Sequence, residues 1–98
     1  MRRAARKDSN HHEIETVFRQ MLADHVTDSS GWGGGAGDLF VSHGNFGCFI
    51  EIKRDSVAKL EPLQIQFRNR HEQQWYRCDS IESAIDISKE IRRMGRTA

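Results

Sequence analysis

Three residues, Asp38, Glu51 and Lys53, combine side-chain types and spacing that could activate water against a phosphorus centre. Asp38 opens a β-prone run over residues 38–42, and Glu51 and Lys53 close a second run over 46–53. His43-Gly44-Asn45 between the runs has the chemistry of a tight turn, so the two should pair as a hairpin. Side chains alternate along a strand, which sets Phe49, Glu51 and Lys53 on one face and Cys48, Ile50 and Ile52 on the other. A turn near Gly44 puts Asp38 roughly opposite residues 49–51, and antiparallel neighbours lie only about 5 Å apart. The two carboxylates should therefore meet. They would offer a magnesium ion the oxygen ligands it prefers. A bound divalent ion supplies what hydrolysis of a phosphodiester needs at neutral pH, an acidified water and positive charge beside the developing oxyanion. Lys53 would orient that water or hold the charge as a point cation. The competing reading, a solvated strand face, applies to any isolated acid-x-Lys triplet, so the elements around the triplet have to decide.

Upstream, Ile14, Val17, Phe18, Met21 and Leu22 recur at helical spacing and predict a first helix from His11 to about Val26, with Ser9 or Asn10 as its N-cap. Residues 27–37 are rich in Ser and Gly and read as a flexible loop flanking the site. Gly33-Gly34-Gly35-Ala36-Gly37 is no phosphate-binding loop of the usual kind, because a strand follows it and no Lys-Ser/Thr pair closes it. Downstream, Pro62 suits a helix start, Leu60, Leu63 and Phe67 mark that helix's inner stripe, and it should end near Glu72. Residues 74–78 read as a last strand. Asp79 with Glu82 resembles a capping box, and Ile81, Ala84, Ile85, Ser88 and Ile91 then trace one helical face to the end. The order helix, β-hairpin, helix, strand, helix describes a single α/β domain.

Composition bounds the answer. A chain of 98 residues fits one domain over 1–98, and so small a core would gain from a partner subunit that covers more apolar surface. Hydrophobic residues at 37% and charged residues at 30% suit a globular rather than a disordered chain. No apolar run approaches the roughly 20 residues that span a bilayer, and no apolar stretch follows the basic start as in a secretory signal, so a cytoplasmic protein is expected. Cys48 and Cys78 are far apart and should be reduced, structural thiols. The histidines lack zinc-finger spacing. His11, His12 and Glu13 cannot all face one ion on a helix, so they read as a solvated helix start. Trp32 could stack on bases or fill the core, while Trp75, inside a strand, should pack. A net charge of +1 excludes a protein coated in positive charge, yet Arg2, Arg3, Arg6 and Lys7 crowd the start and Arg92, Arg93 and Arg96 the finish. Both tracts, at about 1–9 and 92–98, are expected to be flexible and able to neutralise phosphates, and Arg54, Lys59 and Arg68 are further candidates for phosphate contact.

Gly37-Asp38 followed by Phe49-Ile50-Glu51-Ile52-Lys53 resembles the signature of the PD-(D/E)XK nucleases. Leu60-Glu61-Pro62-Leu63-Gln64 with Phe67 is similar to the Pro-x-Gln helix start of that superfamily's VRR-NUC branch. The run from Trp75 to Ile85 is similar to its closing strand and helix. The resemblance spans about residues 13–87 and departs from the pattern in having Gly37 where the superfamily name has Pro, and no Gly at the end of the second helix.

The resemblance implies a restriction-endonuclease-like fold, with a mixed central sheet flanked by helices. It also implies that Gln64 points at the metal cluster and that an acidic residue of the first helix completes it. Between Glu13 and Glu15, Glu15 lies nearer the side on which Leu22 and Val26 widen the apolar stripe. The expected set is then Glu15, Asp38 and Glu51 around magnesium, the Ile52 carbonyl as a further ligand, and Lys53 and Gln64 positioning water. Manganese should substitute, and calcium should bind without supporting turnover. Stand-alone members resemble Holliday junction resolvases that act as homodimers, so the implied activity is an endonuclease of four-way DNA junctions in recombination or repair. A flap or nicking nuclease, or an inactive DNA-binding subunit, are the alternatives.

Overall fold

The structure is a computed structural model that describes residues 10–23 and 25–97. Helix α1 spans His11–Leu22 and its buried residues His11, Ile14, Phe18 and Leu22 fall three or four apart, the spacing of one helical face. It ends where Ala23 takes a left-handed φ of 56°. The expected continuation to Val26 is replaced by a short strand, β1, Val26–Asp28. Val26 is buried, but by the sheet and not by the helix: it pairs with Val41 on the neighbouring strand. A helical stripe that ends at Leu22 and a strand that begins four residues later look alike in sequence.

Strands β2, Leu39–His43, and β3, Phe46–Ile52, form the expected hairpin, with Gly44 and Asn45 as its two-residue turn. Helix α2 covers Pro62–Arg70, a short 3₁₀ turn follows at Glu72–Gln74, and β4, Trp75–Cys78, runs parallel to β3. The sheet order is β1-β2-β3-β4, antiparallel except for the last pair, so the sheet is mixed. Helix α3, Ile81–Thr97, closes the chain. Ser80, one residue past the expected Asp79, caps it: the Ser83 amide donates to Ser80 Oγ at 3.0 Å. The residues 92–97 expected to form a flexible tail are the last turns of α3.

The hydrophobic core lies on one face of the sheet. Ile14, Phe18 and Leu22 of α1 and Ala84, Ile87 and Ile91 of α3 pack against Leu39, Val41, Cys48, Ile50 and Ile52. The other face carries Phe40, Phe49 and α2, none of whose residues is buried. Leu63, expected on an inner stripe, is 56% exposed, and Phe67 alone of that stripe packs on a sheet ring, with its centroid 4.9 Å from Phe49. Tight backbone contact also joins the hairpin turn to α3: a Cβ on Gly95 would sit 2.0 Å from the His43 carbonyl oxygen. Among the described residues no helix is long and apolar enough to cross a membrane.

Candidate active site

The hairpin register decides what meets at its open end. Leu39 pairs with Ile50, so Asp38 lies beside Glu51, inside the range expected from the turn. Asp38 is held twice: its amide donates to the Ile50 carbonyl at 2.9 Å, and its Oδ2 accepts from the Ile52 amide at 2.9 Å. Extended backbone projects a residue's N–H and C=O to the same side, so the Ile52 carbonyl faces the Asp38 side of β3.

Glu51 is only 4% exposed, a costly position for a carboxylate that lacks partners. Its Oε2 accepts from Gln64 Nε2 at 2.9 Å and lies 3.7 Å from Lys53 Nζ. Lys53 Nζ in turn donates to Gln64 Oε1 at 3.0 Å. The same oxygen accepts from the Glu61 amide at 2.8 Å, in the first turn of α2. One amide thus bridges a carboxylate, an ammonium and a helix start. Its orientation is fixed by those partners, because a flipped amide would set oxygen against carboxylate and NH₂ against ammonium. Pro62 at the start of α2 gives up no hydrogen bond there and has the φ that a first turn requires.

Residues 29–37 build the opposite wall. Ser29 is fully buried and ties the two ends of the loop together, its Oγ donating to the Gly37 carbonyl at 3.1 Å and its amide to the Asp38 carbonyl at 3.0 Å. Gly35 has φ +79°, and a Cβ there would lie 2.3 Å from the Leu63 carbonyl oxygen. Gly37 has φ +100°, and its Cβ would lie 3.1 Å from the Ile50 carbonyl oxygen. Only glycine allows this backbone to run so close to β3 and to the start of α2. Between the walls is a cavity of about 150 Å³, lined by Ser30, Gly33, Gly35, Ala36, Gly37, Asp38, Glu51 and Gln64.

Asp38, Glu51, Lys53 and Gln64 are therefore gathered in one place, with Ile52 between them. Glu15 is not gathered with them. It sits on α1, which packs on the sheet face opposite Glu51, and its Oε2 accepts from Arg19 Nε and Nη2 at 2.9 and 2.7 Å. His11 Nε2 lies 3.5 Å from its Oε1. Glu13 is exposed, and the loss of Val26 from the helix removes the flank on which Glu15 was preferred. Arg54 and Lys59 are exposed and follow β3, and Arg68 of α2 donates to Asn69 Oδ1 at 3.3 and 3.1 Å. The expected DNA contacts Arg2, Arg3, Arg6 and Lys7 lie outside the described residues.

The wall residues Ser29, Ser30 and Ala36 escape sequence reasoning, since nothing distinguishes them from loop filler. Asn10 escapes it too. It occupies the N-cap position of α1 but its side chain makes no cap bond, and its Nδ2 instead donates to the carbonyls of Lys53 and Asp79 at 3.1 and 3.3 Å. Those bonds pin the ends of β3 and β4 just past Glu51.

The chemistry of the donors bears on which ion would fit. Among the described residues no three His, Cys, Asp or Glu side chains are grouped to hold a metal. The cavity offers two carboxylates, Asp38 and Glu51, and the Ile52 backbone lies against Asp38 through its amide. Zinc takes three or four protein ligands, usually with nitrogen or sulfur among them. Magnesium keeps several waters and binds through one or two carboxylates, so this set fits magnesium.

No family model and no curated protein matches the sequence. Among solved structures the chain is similar to one described as a VRR_NUC domain protein, at 20% identity and a TM-score of 0.66, over 92% of this chain and 93% of that one. The resemblance expected from the motifs is thus matched by the fold over most of the chain, which has the fold of a VRR-NUC domain.

Proposed function

We propose that this protein is a metal-dependent endonuclease that hydrolyses DNA phosphodiester bonds, with Asp38, Glu51, Lys53 and Gln64 as its reactive set. The observation that carries the proposal is the Gln64 bridge, which ties the Lys53 ammonium to the buried Glu51 carboxylate, and Glu51 and Gln64 line one cavity with Asp38. Asp38, Glu51 and the Ile52 carbonyl would hold magnesium. Bound there, the ion would acidify a water and offset charge on the scissile phosphate. Lys53 would orient the attacking water and face the developing negative oxygens. Gln64 accepts from Lys53 and donates to Glu51, and so would hold the ammonium beside the carboxylate it pairs with. Manganese should replace magnesium, and calcium should bind without supporting turnover.

A four-way junction acted on by a homodimer is the substrate and assembly proposed, in DNA recombination or repair inside a bacterial or phage-infected cell. One feature supports this reading: α2 leaves its sheet face thinly covered. A twofold dimer would present two such cavities symmetrically.

The test is cleavage of junction, flap and linear duplex DNA with magnesium and with EDTA. Junction cleavage should need the metal and fall at least about a hundredfold in Asp38→Ala and Lys53→Ala. Full activity in either variant would remove the assignment. A monomer bound to DNA in sedimentation would remove junction resolution while leaving the hydrolysis.

A further inference from the structure

The sheet face that carries the cavity also carries a run of rings that the chemistry above does not use. Trp32 lies on the glycine-rich loop, one residue before Gly33 of the cavity wall. Its ring lies 6.0 Å from Phe40 at 30° and 5.9 Å from Phe49 at 82°. The run continues from Phe49 to Phe67 at 4.9 Å and from Phe67 to His71 at 4.4 Å. His71 then lines an open polar groove with Asn69, Arg70 and Gln73. Phe49 stands two residues before Glu51 on the same face of β3, about 7 Å along the strand.

Trp32 is unusual within this run. It stands beside two neighbouring rings, yet 56% of it is exposed, whereas Phe40, Phe49 and Phe67 are half-buried. A large rigid ring held open to solvent beside a polar cavity is the arrangement with which proteins stack single-stranded bases, since every base has a π-face and stacking needs no sequence match. The far end of the run is polar, with Arg70 beside Glu72 and side-chain amides, a surface that does not suit a lipid or a greasy peptide.

We infer that Trp32, backed by Phe40 and Phe49, stacks an unpaired nucleobase of the strand whose phosphate enters the Asp38–Glu51 cavity, so that favoured substrates carry unpaired bases next to the cut. The inference rests on the nuclease reading for the identity of the polymer. A continuous duplex keeps its bases paired and presents none to the ring, whereas a flap or a single-stranded gap does, and a four-way junction presents one only where base pairs at its crossover open.

The test uses the full chain, EDTA to prevent turnover, a short mixed-sequence single-stranded oligonucleotide, and a blunt duplex of the same sequence. Trp32→Ala should weaken single-strand binding about five- to 150-fold. Trp32→Phe should recover most of that loss, and duplex affinity should stay within about twofold. Because Trp32 is largely exposed, both variants should keep their unfolding midpoint. The oligonucleotide should quench wild-type tryptophan fluorescence, and the quench should vanish in Trp32→Phe, where Trp75 is the remaining indole. Unchanged single-strand affinity in Trp32→Ala, an equal loss toward duplex, or a quench that survives in Trp32→Phe would each overturn the inference. Asp38→Ala should still show the quench. If wild type cleaves nothing while the Trp32 effects stand, stacking holds and the hydrolytic reading alone fails.

Discussion

The two faces of the sheet solve different problems with the same strands. On the α1 and α3 face, alternate residues of β2 and β3 meet helices whose stripes are aliphatic, and Phe18, Leu39, Val41 and Ile50 are fully enclosed. On the α2 face, the intervening residues are Phe40, Phe49, Glu51 and Lys53, and the covering helix buries none of its own residues. The first face is held by apolar area, which has no direction. The second is held by directed contacts: the Gln64 amide, the Ser29 ties, and glycine backbone laid against α2. The core and the candidate site are thus separated by the period-two alternation of one strand, with Ile50 and Ile52 facing the core and Glu51 and Lys53 on the opposite face.

The separation predicts unequal costs, and the largest should come from the dry face. Phe18→Ala removes a fully buried ring, which costs about 3–5 kcal/mol in a well-packed core. That is a large share of the roughly 5–15 kcal/mol that such domains possess. Leu63→Ala, on α2, should stay within about 0.5 kcal/mol because the side chain is largely exposed. Urea denaturation of both variants checks the contrast. Comparable losses would mean that α2 is covered in solution, as a dimer through that face would require.

A smaller effect should separate two glycines of the cavity wall. Gly35→Ala must push the loop off the Leu63 carbonyl and adopt a left-handed φ, together about 1–3 kcal/mol. Gly31→Ala meets no atom within 4 Å and should be near neutral. If the wall exists to hold the site, Gly35→Ala should also lower cleavage more than its stability loss explains, measured well below its unfolding midpoint. Equal behaviour of the two variants would mean that the loop does not bear on the cavity.

How much of this was legible in the sequence follows from what each feature depends on. Glu51 and Lys53 share a face because of alternation, and Asp38 faces Glu51 because Gly44-Asn45 permits a two-residue turn, so local rules were enough. Gln64 came from resemblance alone, since its role depends on α2 lying across β3, a packing that no local rule specifies. Strand β1 was hidden because three residues have little intrinsic preference and owe their form to pairing with β2. Glu15 stayed ambiguous for the same kind of reason: a helical wheel shows which residues face the core, not which side of the sheet the helix occupies. The glycines announced a loop, but their contacts with Leu63 and Ile50 turned it into a wall.

The smallest predicted effect probes the dryness of the core face through its thiols. Burial pushes Cys48 from an ordinary 9.0 up to about 12, and Cys78 from 9.0 up to about 11, the latter partly offset by hydrogen bonds with Ser83 and Ser80. Burial also raises the Tyr76 hydroxyl above its usual 10.0. A group whose folded pKa is raised stays protonated in the native state after its unfolded counterpart has ionised. Its contribution is complete below pH 9 and is lost as pH climbs toward the folded values. Stability should therefore be flat from neutral pH to about 9, then fall by on the order of 1 kcal/mol per thiol by pH 10. Cys48→Ala should start lower yet lose less over that interval, because one of the ionising groups is gone. In the native protein at pH 8 both thiols should react with a thiol reagent only at the rate of unfolding. Rapid modification of either would mean that water reaches the core face, and the contrast between the two sides of the sheet would lose its physical basis.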